Sequence, residues 1–300
     1  MINGILNVYK EAGFTSHDVV AKLRGICKQK KIGHTGTLDP DATGVLPVCL
    51  GSATKLCDLL TDKSKEYEAE FLLGVTTDTQ DISGTRLTEA EVKVTTDQIQ
   101  QTVQSFVGGY EQLPPMYSAI KVGGKHLYEL ARQGQVIERA TRHVDITDIT
   151  IMSLNLPYIK LRVACSKGTY IRTLGYDIGM QLGCGATMTS LIRTRVGEFK
   201  VTEALTLAQI AAKIADGTLL ETLTTVDSVF AEYRAATVSP AYRRFIDNGN
   251  SLLPEHLQET LAFMPSEPMR IYNDSGAFCG IYAYDNERNI LKPIKIFPID

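Results

Sequence analysis

The stretch from Gly33 to Val48, GHTGTLDPDATGVLPV, concentrates residues that can do chemistry. It carries His34, Asp39 and Asp41, with Asp39 directly before Pro40 and bracketed by Gly36 and Gly44. Proline fixes φ and glycine permits tight bends, so this composition holds the Asp39 carboxylate in a defined pose. A carboxylate so held can act as a nucleophile. The same residues also suit a plain turn, in which Asp stabilises the bend through its own backbone. His34 reads equally as a solvated loop residue.

Both sides of this loop carry elements that could position it. Ile5, Leu6 and Val8 predict a first strand. Thr15 with Asp18 resembles a capping box, after which Val19, Val20, Leu23, Ile26 and Cys27 fall at helical spacing. Downstream, EYEAEFLLG alternates as a half-buried strand, with Tyr67, Ala69, Phe71 and Leu73 on one face. By position alone Tyr67 is a core tyrosine. Ile99, Val103, Phe106 and Val107 predict a helix closed by Gly108 and Gly109.

Residues 113–143 are mostly polar, start near Pro114-Pro115 and include Gly123-Gly124, which predicts a largely irregular arm able to reach over a ligand. Ile159, Leu161, Val163 and Cys165 alternate as a strand. The Ser166-Lys167-Gly168 turn then opens a helix with Ile171, Leu174, Ile178 and Leu182, stopped by Gly183. A capped helix follows between Thr206 and Gly217. Beyond about residue 234 the chain turns to short alternating segments, PMRIYND, GAFCGIYAY and ILKPIKIF, which suggest a small separate β unit.

Composition narrows the class. The chain has 300 residues, 44% hydrophobic and 22% charged, ordinary for a soluble globular protein with a sizeable core. No apolar run approaches the roughly 18–20 residues of a bilayer crossing. The start, MINGILNVYKEAG, lacks the parts of a signal peptide, so the expected compartment is the cytoplasm. The six cysteines are scattered without a CxxC pair, so neither a zinc site nor a disulfide framework is expected.

The net charge of −3 argues against nucleic acid, but its distribution argues the other way. Val19–Leu38 holds Lys22, Arg24, Lys28, Lys30 and Lys31 without an acid, and Ile149–Tyr176 holds Lys160, Arg162, Lys167 and Arg172 likewise. Phosphate binding needs local positive potential, not a basic total.

Taken together, GHTGTLDPDATG, Lys65-Glu66-Tyr67, LPPMYSAIKVGGKHLYELARQG, and CSKGTYIRTLGYDIG with LGCGA resemble the motifs of the TruB family of tRNA pseudouridine synthases, in order, over roughly the first 230 residues. One motif departs: where the family has Asp-Lys-Pro-x-Gly, this chain has Tyr9-Lys10-Glu11-Ala12-Gly13. That departure bears on local loop geometry. The resemblance implies an α+β pseudouridine synthase fold, with a central mixed, largely antiparallel sheet flanked by helices and loops. It places the catalytic domain at residues 1–233, with 113–143 as an RNA-binding thumb, and a PUA-like RNA-binding β domain at 234–300.

The implied activity is isomerisation of uridine 55 in the tRNA T-loop, which moves the ribose C1′ bond from N1 to C5 of the same base. No atom leaves and no redox change occurs, so neither cofactor nor metal is expected. The resemblance assigns Asp39 as nucleophile, Arg172 as the cation that keeps it ionised, and Tyr67 and Tyr170 to the uracil pocket, Tyr67 also helping to take the C5 proton. It assigns His34 to support of the displaced nucleotide and Leu191 to an apolar wall. Lys30, Lys31, Lys121, Lys125, Arg142 and Lys167 are the expected RNA-backbone contacts. The expected partner is tRNA, with no membrane and no protein partner, for a chain acting as a monomer.

Two rivals come from other classes. A non-catalytic RNA-binding or RNA-folding protein could use the same scaffold. Asp39-Pro-Asp41-Ala-Thr43 also fits the D-x-D-x-T pattern of haloacid dehalogenase-type phosphatases, but there the motif ends an apolar strand, and here only Leu38 precedes it.

Overall fold

The computed structural model describes residues 1–297. In chain order, the first part comprises β1 (Gly4–Lys10), α1 (Ser16–Ile26), β2 (Ile32–His34), β3 (Thr43–Leu50), α2 (Cys57–Thr61) and β4 (Lys65–Leu73). There follow β5 (Val75–Thr77), β6 (Arg86–Glu89), α3 (Thr96–Ser105), β7 (Gly108–Gln112), β8 (Lys121–Val122), β9 (Lys125–His126) and α4 (Leu127–Arg132). Then come β10 (Arg142–Asn155), β11 (Tyr158–Cys165), α5 (Ile171–Gln181), β12 (Ala186–Val196), β13 (Phe199–Lys200) and α6 (Leu207–Ala215). The last stretch holds β14 (Arg234–Thr237), α7 (Arg243–Asp247), β15 (Pro268–Tyr272), β16 (Phe278–Asp285) and β17 (Ile290–Ile296).

A nine-stranded sheet in the order β1-β3-β12-β4-β11-β10-β7, with β2 on β3 and β13 on β12, forms the frame. Its pairings are antiparallel apart from a short parallel contact of β3 with β12, at Thr43 with Ile192 and Gly44 with Arg193. The fold is therefore α+β with a mixed, largely antiparallel sheet. The alternation read from the sequence holds on β4, where Tyr67, Ala69, Phe71 and Leu73 are buried, and on β11, where Ile159, Leu161, Val163 and Cys165 are buried. Those two faces pack with α5 and α3 into one core. A second core joins β1 and β3 to α1 and α6.

Helix α5 lies unusually close to the sheet because it carries glycines where it touches. A Cβ on Gly175 would fall 1.9 Å from the Phe71 ring, and one on Gly179 would fall 2.3 Å from the Ala186 backbone nitrogen. Its middle is thus set against β4 and β12, the strands that carry Tyr67 and Leu191. A four-stranded sheet, β14-β15-β16-β17, encloses a separate core with Tyr282, Met269 and Leu291.

Two expectations change and a third is refined. The loop is shorter than the glycines implied, since His34 ends β2 and Thr43 opens β3. The Gly108-Gly109 pair does not merely stop a helix; it starts β7, which pairs with β10. The arm is irregular over much of its length, as expected, but not throughout. It contains the β8–β9 hairpin and α4, around a small core of Met116, Leu127 and Leu130. Elements of two to six residues are too short for hydrophobic periodicity to register in a sequence.

Candidate active site

Adjacent strands bring the site together. Gly44 of β3 faces Arg193 of β12, and Arg193 faces Tyr67 of β4. Gly44 has φ +105, and a Cβ there would meet the Arg193 carbonyl oxygen at 2.2 Å, so the loop can join the sheet here only through glycine.

The Asp39 loop is held by its backbone. The Leu38 N–H donates to Ser16 Oγ at 2.9 Å, while the Leu38 side chain is buried in the main core. Lys10 Nζ, on a fully buried side chain, donates to the carbonyls of Pro40 (2.9 Å), Ala42 (2.6 Å) and Glu11 (3.1 Å). Arg193, 1% exposed, donates to the carbonyls of Val45 (2.7 Å), Gly36 (3.3 Å) and Thr37 (3.5 Å). Two buried cations thus satisfy carbonyls that would otherwise be orphaned. Burial lowers Lys10 to about 8 and also pulls Arg193 down.

Arg172 reaches Asp39 with a two-pronged contact. Its Nε lies 2.9 Å from Oδ2 and its Nη2 donates to Oδ1 at 3.2 Å. The guanidinium is 5% exposed and the carboxylate 39%, so the carboxylate is the open side of the pair. The remaining donors are also used: Nη1 to the Thr79 carbonyl at 2.9 Å, Nη2 to the Tyr117 carbonyl at 2.9 Å, with Asp81 Oδ2 3.5 Å from Nη1. Such planar, multiply bonded arginine is fixed in orientation as well as charge. Burial pushes the Asp39 carboxyl above the ordinary carboxylate range. Arg172 opposes that rise, Asp81 adds to it and Lys10 opposes it.

Tyr67 is buried, and burial raises its phenol above the ordinary value while the Arg193 guanidinium pulls it back. It is therefore a neutral phenol at pH 7. Leu191 is buried on β12, in register with Ala69 two pairs beyond the Tyr67 position. Tyr170 is half-buried at the N-cap of α5, with the Arg142 guanidinium 5.8 Å from its ring centre. His34 Nδ1 accepts from the Gly36 N–H at 3.3 Å, and its ring meets His17 edge-on at 5.2 Å. Burial, then His17 and Arg193, lower its pKa, so it is neutral at pH 7.

The basic residues fall into two groups. Lys30, Lys31, Lys121 and Lys125 are exposed. The acid-free run from Ile149 to Tyr176 is not a bare cationic surface. Lys160 and Arg162 pair with Glu68, Lys167 with Asp62 at 2.7 Å, and Arg172 with Asp39 and Asp81. Glu68 comes from β4, Asp62 from just before it, Asp39 from the loop before β3 and Asp81 from the turn after β5, which sequence order does not show.

Sequence reasoning missed Arg193, Asp81 and Gln112, whose carboxamide bonds the backbone of Tyr170. Arg193 sits in an ordinary-looking strand, LIRTRVGEF, where only its burial marks it.

Residues 24–171 match the family described as TruB family pseudouridylate synthase (N terminal domain), and residues 172–231 match the tRNA pseudouridylate synthase B C-terminal domain. The chain belongs to the TruB family. By that membership it is a pseudouridine synthase, an isomerase. Similar relatives span its length: tRNA pseudouridine synthase B of Lachnoclostridium phytofermentans is 50% identical, covering 99% of this chain and 100% of that protein. The Clostridium novyi protein of the same name is 46% identical over 93% of this chain and 95% of its own. Among solved structures, a Cbf5-Nop10-Gar1 complex aligns at TM-score 0.69 and 26% identity, over 99% of this chain and 83% of that one. An H/ACA RNP bound to a substrate RNA containing 2'-deoxyuridine shares the fold at TM-score 0.71 and 23% identity, over 99% and 85%.

The departure from the TruB first motif leaves the loop in place. Lys10 still spans Pro40 and Ala42, and the Gly13 N–H donates to the Pro40 carbonyl at 3.0 Å. Among the described residues no group of three or more His, Cys, Asp or Glu could hold a metal ion, and no helix is long and apolar enough to cross a membrane.

Proposed function

We propose that this chain isomerises uridine 55 of the tRNA T-loop to pseudouridine, with Asp39 as nucleophile and without a cofactor. The observation that carries the reading is the Asp39–Arg172 pair: a carboxylate open on one side, braced on the other by a buried, fully engaged guanidinium. Both carboxylate oxygens meet that cation, a donor set suited to an anionic nucleophile and not to a divalent ion. This disfavours the phosphatase pattern of Asp39 and Asp41.

A uridine stacked in a loop cannot present its sugar to such a group, so it must flip into the site. Asp39 then attacks the nucleoside, the C1′–N1 bond breaks, the uracil turns so that C5 bonds to C1′, and the bond to Asp39 breaks to return the free carboxylate. The C5 proton leaves and N1 gains one, which balances the isomerisation. The Tyr67 and Tyr170 rings hold the uracil by stacking, and Leu191 closes the apolar wall. As a neutral phenol, Tyr67 can accept the C5 proton only while passing on its own. Neutral His34 supports the displaced nucleotide by packing and not by charge.

The partner is tRNA, met through shape and phosphates. Lys30 and Lys31 beside β2, with Lys121 and Lys125 on the arm hairpin, supply cations, and Arg142 extends the surface to Tyr170. Lys167 contributes less, since Asp62 neutralises it. Residues 1–233 form the catalytic part with 113–143 as its thumb. Residues 234–300, of which 298–300 lie outside the described residues, add a PUA-like RNA-binding part. The test is to incubate the pure protein with unmodified tRNA, without metal or cofactor, and map pseudouridine. Product confined to position 55 supports the reading; product elsewhere or none contradicts it.

A further inference from the structure

Gln112 is the last residue of β7, two residues before Pro114-Pro115 at the root of the arm. It is 0% exposed, and every polar bond of its carboxamide is spoken for. Oε1 accepts from the Tyr170 N–H at 2.7 Å, and Nε2 donates to the Tyr170 carbonyl at 3.0 Å. The second Nε2 hydrogen goes to the Tyr110 hydroxyl. A side-chain amide that grips both main-chain groups of one residue imitates a strand neighbour. It leaves that residue little freedom to shift or rotate.

The gripped residue sits at a junction. Tyr170 is the N-cap of α5, has no side-chain cap bond of its own, and precedes Arg172 by two positions. Its carbonyl also receives the Leu174 N–H at 3.0 Å, so its plane sets the first turn of α5. Further connections between this segment and the arm are the Arg172 bond to the Tyr117 carbonyl and the Arg142 guanidinium, 5.8 Å from the Tyr170 ring centre. Gln112 therefore ties the root of the arm to the segment that carries both the aromatic wall and the cation of the site.

We infer that Gln112 is a positioning residue, whose clamp on the Tyr170 main chain fixes the Tyr170 ring and the start of α5 relative to Asp39. It touches neither substrate nor reacting atoms, and the inference rests on the functional reading above. The clamp acts on geometry, so its loss lowers the rate of reaction on bound tRNA and leaves docking, which uses surface cations, unchanged.

The test uses the full chain and unmodified tRNA, with enzyme in excess in single-turnover reactions, alongside filter-binding affinity. Gln112→Ala is expected to slow pseudouridine formation by about 10- to 100-fold, the range for a sub-ångström to ångström misplacement of reacting groups. The tRNA Kd is expected to stay within about 3-fold, a loss in the chemical step alone. Gln112→Glu separates clamping from general packing. Its protonated carboxyl can both accept from the Tyr170 N–H and donate to the Tyr170 carbonyl, whereas its ionised form can only accept. Burial raises such a carboxyl, so the ratio of variant to wild-type rate should climb between about pH 8 and about pH 6. Asp177, which acts on Tyr110 and which burial raises to about 6, titrates in the same window, so the ratio is read in an Asp177→Asn background for both proteins.

A wild-type rate for Gln112→Ala, or a pH-independent ratio for Gln112→Glu, overturns the inference. If Gln112→Ala does not fold, the ratio alone decides. A wild-type protein that makes no pseudouridine would overturn the functional reading instead, so the two failures are distinct.

Discussion

The Asp39 loop and the 113–143 arm face the same arginine but are built in opposite ways. The loop is pinned through its own carbonyls by two buried cations, Lys10 and Arg193, and through Leu38 by the main core. The arm has a satellite core of Met116, Leu127 and Leu130 and is tied to α5 through Gln112 and the Tyr117 carbonyl. Regions with few buried contacts open at low free energy, and closing elements are drawn from such regions. The contrast suits the proposed roles, since a nucleophile needs a fixed pose before substrate arrives, whereas a segment that covers RNA must admit it first. Arg172 joins the two, holding Asp39 on one side and Tyr117 on the other.

Replacing that joint should have the largest effect. Arg172→Lys keeps the charge but loses the planar fork, and is expected to cut single-turnover rate about 100- to 1000-fold, the range for removing an oriented electrostatic donor. Affinity for tRNA, measured on the same protein, should change little. Arg193→Met should next distinguish the loop from the arm. It strands the carbonyls of Gly36, Thr37 and Val45 and is expected to cost about 2–5 kcal/mol of global stability in urea unfolding. Leu127→Ala in the arm should instead speed hydrogen exchange within 113–143 and leave the loop's protection intact. Equal effects of both variants on both regions would erase the contrast.

Much of this was legible beforehand, for reasons that also mark the limit. Alternation on β4 and β11 and the Thr15–Asp18 capping box are local patterns, so the frame and the α1 start could be read. The Asp39 motif survived because its glycines and proline impose geometry wherever they stand. Arg193, Asp81 and Gln112 were not legible, because their roles are contacts across 58 to 157 residues with no periodic signature. The paired state of Lys160, Arg162 and Lys167 was hidden likewise, since Glu68 and Asp62 lie on a distant stretch of chain.

A smaller effect concerns pH. The proposed mechanism needs Asp39 ionised and its pKa is raised, so it predicts that kcat falls on acidification at a higher pH than the roughly 3.9 of an ordinary aspartate. Asp81 contributes to that rise, so Asp81→Asn should move the acid limb to lower pH while lowering the plateau, as Arg172 loses a neighbour. An unmoved limb would show that Asp81 does not act on Asp39. Smallest is the surface term: Lys121→Ala with Lys125→Ala should reduce the slope of log affinity against log salt by about 1–2. Lys167→Ala, with Asp62 beside it, should change the slope by less.

The central claim is that Asp39 is the nucleophile and not a turn former. The direct measurement is single-turnover pseudouridine formation and tRNA affinity for Asp39→Asn, which keeps the shape of the loop and removes the anion. The account predicts affinity near that of wild type with no pseudouridine formed. Substantial product from Asp39→Asn would contradict it.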